Sequence, residues 1–160
     1  MWQKVAILWL FLSAFTVSAE IDKGEFFEVF GSSSSSKISA ERAKLEKMKQ
    51  TAEVKAYLGA IIMKEAKFKS SAMSKLSHFT KGRKMLETQI NANSSSVEFR
   101  VLRLMIQENC PSILGYSDNI DKDADFITKK FTTLDKTIQT VVLSYSKKSD
   151  ALSHATLSAK

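Results

Sequence analysis

Apolar residues recur along this chain at helical spacing, and the pattern predicts an all-α fold, a compact array of antiparallel helices. No segment beyond residues 1–19 alternates with period two, and five glycines and one proline are too few to punctuate a sheet with hairpins. "EIDKGEFFEVFG" reads as a short acidic lead-in, and the serine run Ser32–Ser36 as a flexible linker. The first body helix opens at "SAER", with Ser39 as its N-cap and a charged run from Glu41 and Arg42 to Lys49. "EVKAYLGAIIMKEAKF" differs in kind: it carries no charge from Ala56 to Met63, so it is apolar nearly all round and belongs inside other helices. Gly59 costs about 1 kcal/mol relative to Ala in a helix interior, and close approach of a neighbouring helix is the expected compensation.

The next helix, "MSKLSHFTKGRKMLETQI", places Met73, Leu76, Phe79, Leu86 and Ile90 on one stripe, and "NANSSS" ends it in a turn. "SVEFRVLRLMIQEN" follows, capped by Ser95 or Ser96 with Glu98 in its first turn. Arg100, Arg103 and Gln107 form a narrow polar stripe on this second central helix, whose remaining face is mostly apolar. Glu108 and Asn109 project from the apolar arc. There they cap the helix end, tie down the following loop, or contact a pocket. Pro111 stops the helix, Ile113, Leu114 and Tyr116 form an apolar plug, and Gly115 permits the chain to turn. Asp118 or Asn119 then caps a last helix, with Asp121, Asp123 and Asp125 near its positive end. In that helix Ile127, Phe131, Leu134, Ile138, Val141 and Tyr145 are spaced 4-3-4-3-4, a stripe suited to packing along a neighbour. From Lys147 the periodicity is lost.

The N-terminus joins Lys4 to an uncharged stretch, "VAILWLFLSAFTV", and places small residues at Val17 and Ala19. This is the layout of a cleavable secretory signal, shorter than the roughly 20 apolar residues that span a bilayer. The expected organisation is a signal peptide over 1–19, a lead-in and Ser-rich linker over 20–38, a helical domain over 39–147 and a flexible tail over 148–160. Cleavage near Ala19 leaves 141 residues with a net charge of +6 and no transmembrane segment, in the periplasm or outside the cell. Cys110 is then a lone thiol in an oxidising compartment, expected to be a small buried hydrophobe that forms no intramolecular disulfide.

Charge is unevenly spread. Residues 44–84 carry eleven basic and three acidic side chains, a local net of +8, whereas residues 85–160 sum to zero. A solvated surface explains such a run, and so does a basic face for anionic lipid headgroups, polysaccharide or an acidic protein. Nucleic acid is not expected outside the cytoplasm. Chemistry-bearing motifs are sparse. "DKDADF" alternates carboxylates like a calcium loop, but Phe126 and Thr132 stand where glycine and glutamate are needed. His78 and His154 are far apart, no Cys/His cluster has metal-ligand spacing, and there is no nucleophile elbow or glycine-rich phosphate loop. No catalytic, cofactor or metal site is expected.

The windows "AEVKAYLGAIIM" and "FTKGRKMLETQINANSSSVEFRVLRL" resemble the helix–turn–helix layout of tetratricopeptide repeats, with an aromatic and a Leu-Gly pair in the first helix and a small residue after an aromatic in the second. The layout occurs at most twice, fewer than the roughly three repeats that bury a continuous core, so the last helix is expected to act as a lid on a monomer. "EFRVLRLMIQENCPSILGYSDNI" also resembles uncharacterised small exported proteins of Bacteroidetes bacteria, which implies export and helical structure but no activity. The expected role is a non-catalytic interaction or scaffold module with a protein partner in the cell envelope. The alternative is a basic, chaperone-like or anionic-surface-binding protein. Arg100, Arg103, Gln107, Glu108, Asn109, Tyr116, Lys81, Arg83 and Lys84 are the candidate interaction residues.

Overall fold

The structure, a computed structural model, describes residues 20–160, and the expected export signal lies outside them. Among the described residues there are eight α-helices and no strand: α1 Lys23–Gly31, α2 Ser35–Lys47, α3 Ala52–Glu65, α4 Ala72–Ala92, α5 Val97–Gln107, α6 Ile120–Lys130, α7 Lys136–Ser146 and α8 His154–Ser158. The all-α expectation holds. None of these helices is long and apolar enough to cross a membrane.

The helix that carries the uncharged run is central. α3 packs against α2, α4 and α5, and its interface with α4 is the most extensive in the molecule. Thr51 starts α3 and Ser71 starts α4, each accepting a backbone N–H from three residues on. Gly59 and Gly82 then set how close the two helices come. A Cβ on Gly59 would lie 2.8 Å from the Gly82 carbonyl oxygen and from the Leu86 nitrogen. One on Gly82 would lie 2.5 Å from the Gly59 oxygen and 2.8 Å from the Met63 nitrogen. The pairing of Gly59 with Leu86, and of Met63 with Gly82, makes the hairpin antiparallel. Leu58, Ile61, Ile62, Leu102 and Ile106 are all buried around it, as expected for core positions.

The lead-in is not peripheral. α1 buries Phe26, Phe27 and Phe30, which stack with one another, and Phe26 and Phe27 meet the Tyr57 ring of α3 edge-on. Its Lys23 Nζ sits 2.7 Å from Glu98 on α5, 3.1 Å from Glu53 on α3 and 3.2 Å from Asp135 before α7, joining four helices. Glu98 also accepts the Tyr57 hydroxyl. The serine run is likewise built in: Ser34, not Ser39, caps α2 by accepting the Lys37 N–H, and Ser35 and Ser36 form its first turn. A polar run can be a helix start when one hydroxyl finds an orphan N–H, which is what separates this segment from a linker.

The expected single C-terminal helix is two. Phe131–Thr133 tightens into a 3₁₀ turn, Leu134 is extended, and Asp135 caps a new helix by accepting the Ile138 N–H. The break resets the helical register, so Val142 is fully buried and Val141 of the expected stripe only half so. The single lid is therefore replaced by two contacts, α6 against α5 and α7 against α1. Beyond Lys147 the chain packs back on the helices: Leu152 and the α8 residue Leu157 are buried.

The glycine crossing generates the first prediction. Gly82→Ala gains about 1 kcal/mol of helix propensity. It also drives a methyl group into backbone that no side-chain rotation relieves, and such overpacking costs about 1–3 kcal/mol or more. We expect a net destabilisation of about 1–2 kcal/mol in urea unfolding. A Gly82→Ala chain as stable as the parent would mean that the helices separate at no cost.

Candidate functional site

Four of the nine candidates turn inward: Arg100, Arg103, Gln107 and Tyr116. Arg100 and Arg103 lie one turn apart on α5 and converge on Asp123, which sits fully buried in α6. Arg103 grips it with two bonds, Nε to Oδ2 at 2.6 Å and Nη2 to Oδ1 at 2.8 Å, and Arg100 Nη1 adds a third at 2.9 Å. Arg103 Nη1 also reaches Glu87 of α4 at 2.8 Å, and Glu87 accepts the Tyr116 hydroxyl. Arg100 donates to the Ser94 carbonyl and stacks on the Phe126 ring at 4.3 Å. Two guanidinium and two carboxylate groups thus balance, pinning α4, α5, α6 and the Tyr116 loop together. Gln107, on the same stripe, is also buried.

The remaining candidates divide. Glu108 accepts the Ser149 hydroxyl and the backbone N–H groups of Asp150 and Ala151, which ties the C-terminal segment to the end of α5. Asn109 donates to the Met105 carbonyl and to the Tyr145 hydroxyl. Arg83 lies over the Tyr116 ring at 4.6 Å, while Lys81 and Lys84 are exposed on α4. On the opposite flank, the buried Glu65 at the end of α3 receives Ser39 at 3.0 Å, Lys69 at 3.3 Å, His78 at 2.8 Å and Arg42 at 3.2 Å. Burial alone would raise its pKa, but these hydrogen bonds and the Arg42 charge hold the carboxyl below its usual range. His154 meets the Ser146 hydroxyl at 2.8 Å, yet that hydroxyl donates to the Leu143 carbonyl and no carboxylate orients the ring, so the pair closes a helix end. Among the described residues no three His, Cys, Asp or Glu side chains are placed to hold a metal ion.

A groove of about 630 Å³ opens where these pins leave a gap. Its floor is Met63 and Ala66 of the α3 end, Phe79 of α4, Met105 and Ile106 of α5, and Tyr145 of α7. Phe30 and the Cys110–Leu114 loop complete its lining. Leu76 and Ile113 stand at the rim, 51% and 92% exposed. The expected α4 stripe accounts for this: Phe79, Leu86 and Ile90 are buried, but Leu76 and the 77% exposed Met73 run on past the core.

Four lysines, Lys64, Lys67, Lys75 and Lys148, line the same groove, and no acidic side chain does. None of the four has an ion-pair partner among the described residues. Lys64 is half-buried over the Phe30 ring at 5.6 Å, and Lys148 lies over Tyr145 at 5.5 Å. Burial, then the neighbouring charges of Lys67 and Lys148, pull the Lys64 pKa below the ordinary lysine range. Cys110 is half-buried in the groove wall, with its Sγ 3.4 Å from the Tyr116 carbonyl and 3.6 Å from that of Gln107. Burial pushes its thiol pKa up, away from the reactive thiolate.

Of the candidate residues, only Asn109 lines the groove. Its four lysines were not singled out by sequence, because helical periodicity does not say which surface lysines surround a gap in the core. Comparison with protein-family models, with curated proteins and with solved structures finds no match.

Two consequences follow from the buried charges. Asp123→Asn leaves Glu87 as the lone counter-charge to two buried guanidinium groups, and breaking a buried pair costs about 3–5 kcal/mol, so a loss of that order is expected in urea unfolding. A loss below about 1 kcal/mol would show that the pair is not structural. Glu65, with its folded pKa depressed, contributes stability that is present above its unfolded value of 4.5 and lost as pH falls through the folded value. The stability gap between the parent and Glu65→Gln should therefore narrow from pH 6 to about pH 3, and a gap independent of pH would contradict the assignment.

Proposed function

We propose that this chain is an exported, non-catalytic binding protein whose binding face is the groove between the α3 end, the first turns of α4 and the Cys110–Leu114 loop. The observation that carries this reading is an apolar recess ringed by four lysines that have no ion-pair partner among the described residues. Its volume falls within the roughly 300–1,000 Å³ of ligand pockets. The buried polar clusters speak for binding rather than turnover, because Asp123, Glu87 and Glu65 are each engaged by the chain's own cations. The N-terminal pattern of Lys4, an uncharged stretch and Ala19 supports export. The tetratricopeptide-like reading of the α3–α4 pair is part of the same proposal, since helical hairpins of that kind present concave faces to partners. The lysines keep the second reading, attachment to an anionic surface, alive as a variant of the first.

Uptake of an uncharged, environment-sensitive fluorophore such as N-phenyl-1-naphthylamine tests the groove directly. The parent chain should bind it, and Ala72→Trp should abolish binding with an unchanged melting temperature, because Ala72 is an exposed first-turn residue at the groove mouth. Absent uptake by the parent, or undiminished uptake by a folded Ala72→Trp chain, would remove the groove as the binding face.

A further inference from the structure

We infer that the groove takes a single-chain anionic amphiphile, a long-chain carboxylate, with its hydrocarbon chain along the apolar floor and its head group at Lys64. The inference rests on the groove being the binding face and adds the chemical class of its occupant.

Charge excludes one class and selects another. Four lysines and no carboxylate line the recess, so a cationic amphiphile meets only repulsion and an anionic one meets complementary charge. Lys64 is the half-buried member of the set, and Lys67, Lys75 and Lys148 are exposed around it. One ammonium held inside an apolar wall suits a compact, singly charged head, with the outer lysines adding long-range attraction. Methionine fits the floor to a flexible chain: Met63 and Met105 are unbranched, polarizable and able to follow its path.

Size separates a small ligand from a protein. About 630 Å³ is the volume of a small-molecule pocket, whereas a stable protein partner covers about 800 Å² on each side. An acidic amphipathic helix would have to extend well beyond the recess onto the surface of α4. A bilayer meets flat or convex apolar surface, and here the apolar atoms line a recess with only Leu76 and Ile113 standing at its rim.

Calorimetric titration of the whole chain with dodecanoate, below its micellar concentration, tests the assignment. Dodecyltrimethylammonium serves as the charge-reversed control. Dodecanoate should bind one to one, the cation should not bind, and octanoate should bind more than about tenfold more weakly, since each buried methylene is worth roughly fourfold in affinity. Lys64→Met keeps an apolar stem of similar length. It should weaken dodecanoate by about tenfold, the scale of one charge-assisted contact, and so narrow the preference for dodecanoate over the uncharged fluorophore. Lys148→Met provides a second charge removal should Lys64→Met fold poorly. Bound dodecanoate should also slow alkylation of Cys110 in the groove wall. Equal binding of the two amphiphiles, or undiminished dodecanoate binding by folded Lys64→Met, would overturn the carboxylate assignment and leave the groove intact as a binding face. The same holds if the fluorophore enters but dodecanoate does not, or if an acidic amphipathic peptide displaces the fluorophore where dodecanoate cannot. Failure of the fluorophore as well would remove both.

Discussion

The contact of Gly59 with Gly82 fixes the rest of the architecture. Backbone meets backbone there, so the α3–α4 distance is set by the absence of two side chains rather than by the shape of any pair. The crossing also sets the offset of the two helices. From Gly59 to the end of α3 at Glu65 is about 9 Å at 1.5 Å per residue, but from Gly82 back to the start of α4 at Ala72 is about 15 Å. The 3₁₀ turn Ala66–Phe68 continues from α3 and packs along that remaining length of α4. Leu76 and Met73 stay exposed at the start of α4, and Leu76 stands on one side of the groove. A core contact and a candidate binding face thus lie along one helix pair.

Charged residues serve two distinct purposes. Arg100 and Arg103 are interior fasteners, whose planar guanidinium groups meet Asp123 and Glu87 along several directions at once. Because pairs of this kind stabilise little over a well-packed apolar substitute, their value lies in register: Asp123 admits one arrangement of α6 against α5. Lys23 acts similarly among Glu53, Glu98 and Asp135, binding the first helix to the start of α7. The lysines of the groove are of the other kind. Burial, then the charges of Lys67 and Lys148, pull the Lys64 pKa down, and an anion at this face would relieve the crowding of like charge.

What could be read in the sequence was what periodicity encodes. The uncharged run from Ala56 to Met63 and the cap at Ser96 depend on local composition and lie where expected, whereas α5 ends at Gln107, short of Pro111. Elements that depend on distant partners were harder to see. Phe26, Phe27 and Phe30 look like part of an acidic lead-in until Tyr57 supplies the face they bury against. The α6–α7 break hides within a regular apolar stripe because a capping Asp135 overrides it. The Arg100/Arg103 stripe was visible, but its meaning depended on Asp123, some twenty residues along and read as a helix-end charge. A narrow polar stripe on an otherwise apolar helix is the signal that points to such a buried counter-ion.

Why the recess stays open is itself a matter of charge. Its floor residues Met63, Phe79 and Ile106 are already nearly covered, and the apolar area that burial would still favour covering belongs largely to the rim residues Leu76 and Ile113. The segments nearest to hand cannot do so cheaply. The end of α7 carries Lys148, the turn after α3 carries Lys67, and the start of α4 carries Lys75, so bringing any of them over the floor moves a cation into apolar surroundings beside Lys64. A second copy of the chain fares no better, because a symmetric contact through this face sets one ring of four lysines against another. Like charge thus opposes closure of the recess by its own lysine-bearing segments or by a symmetric copy of this face, while burial of the remaining apolar rim is favourable. The inferred amphiphile, apolar along its length and negative at one end, would meet both conditions.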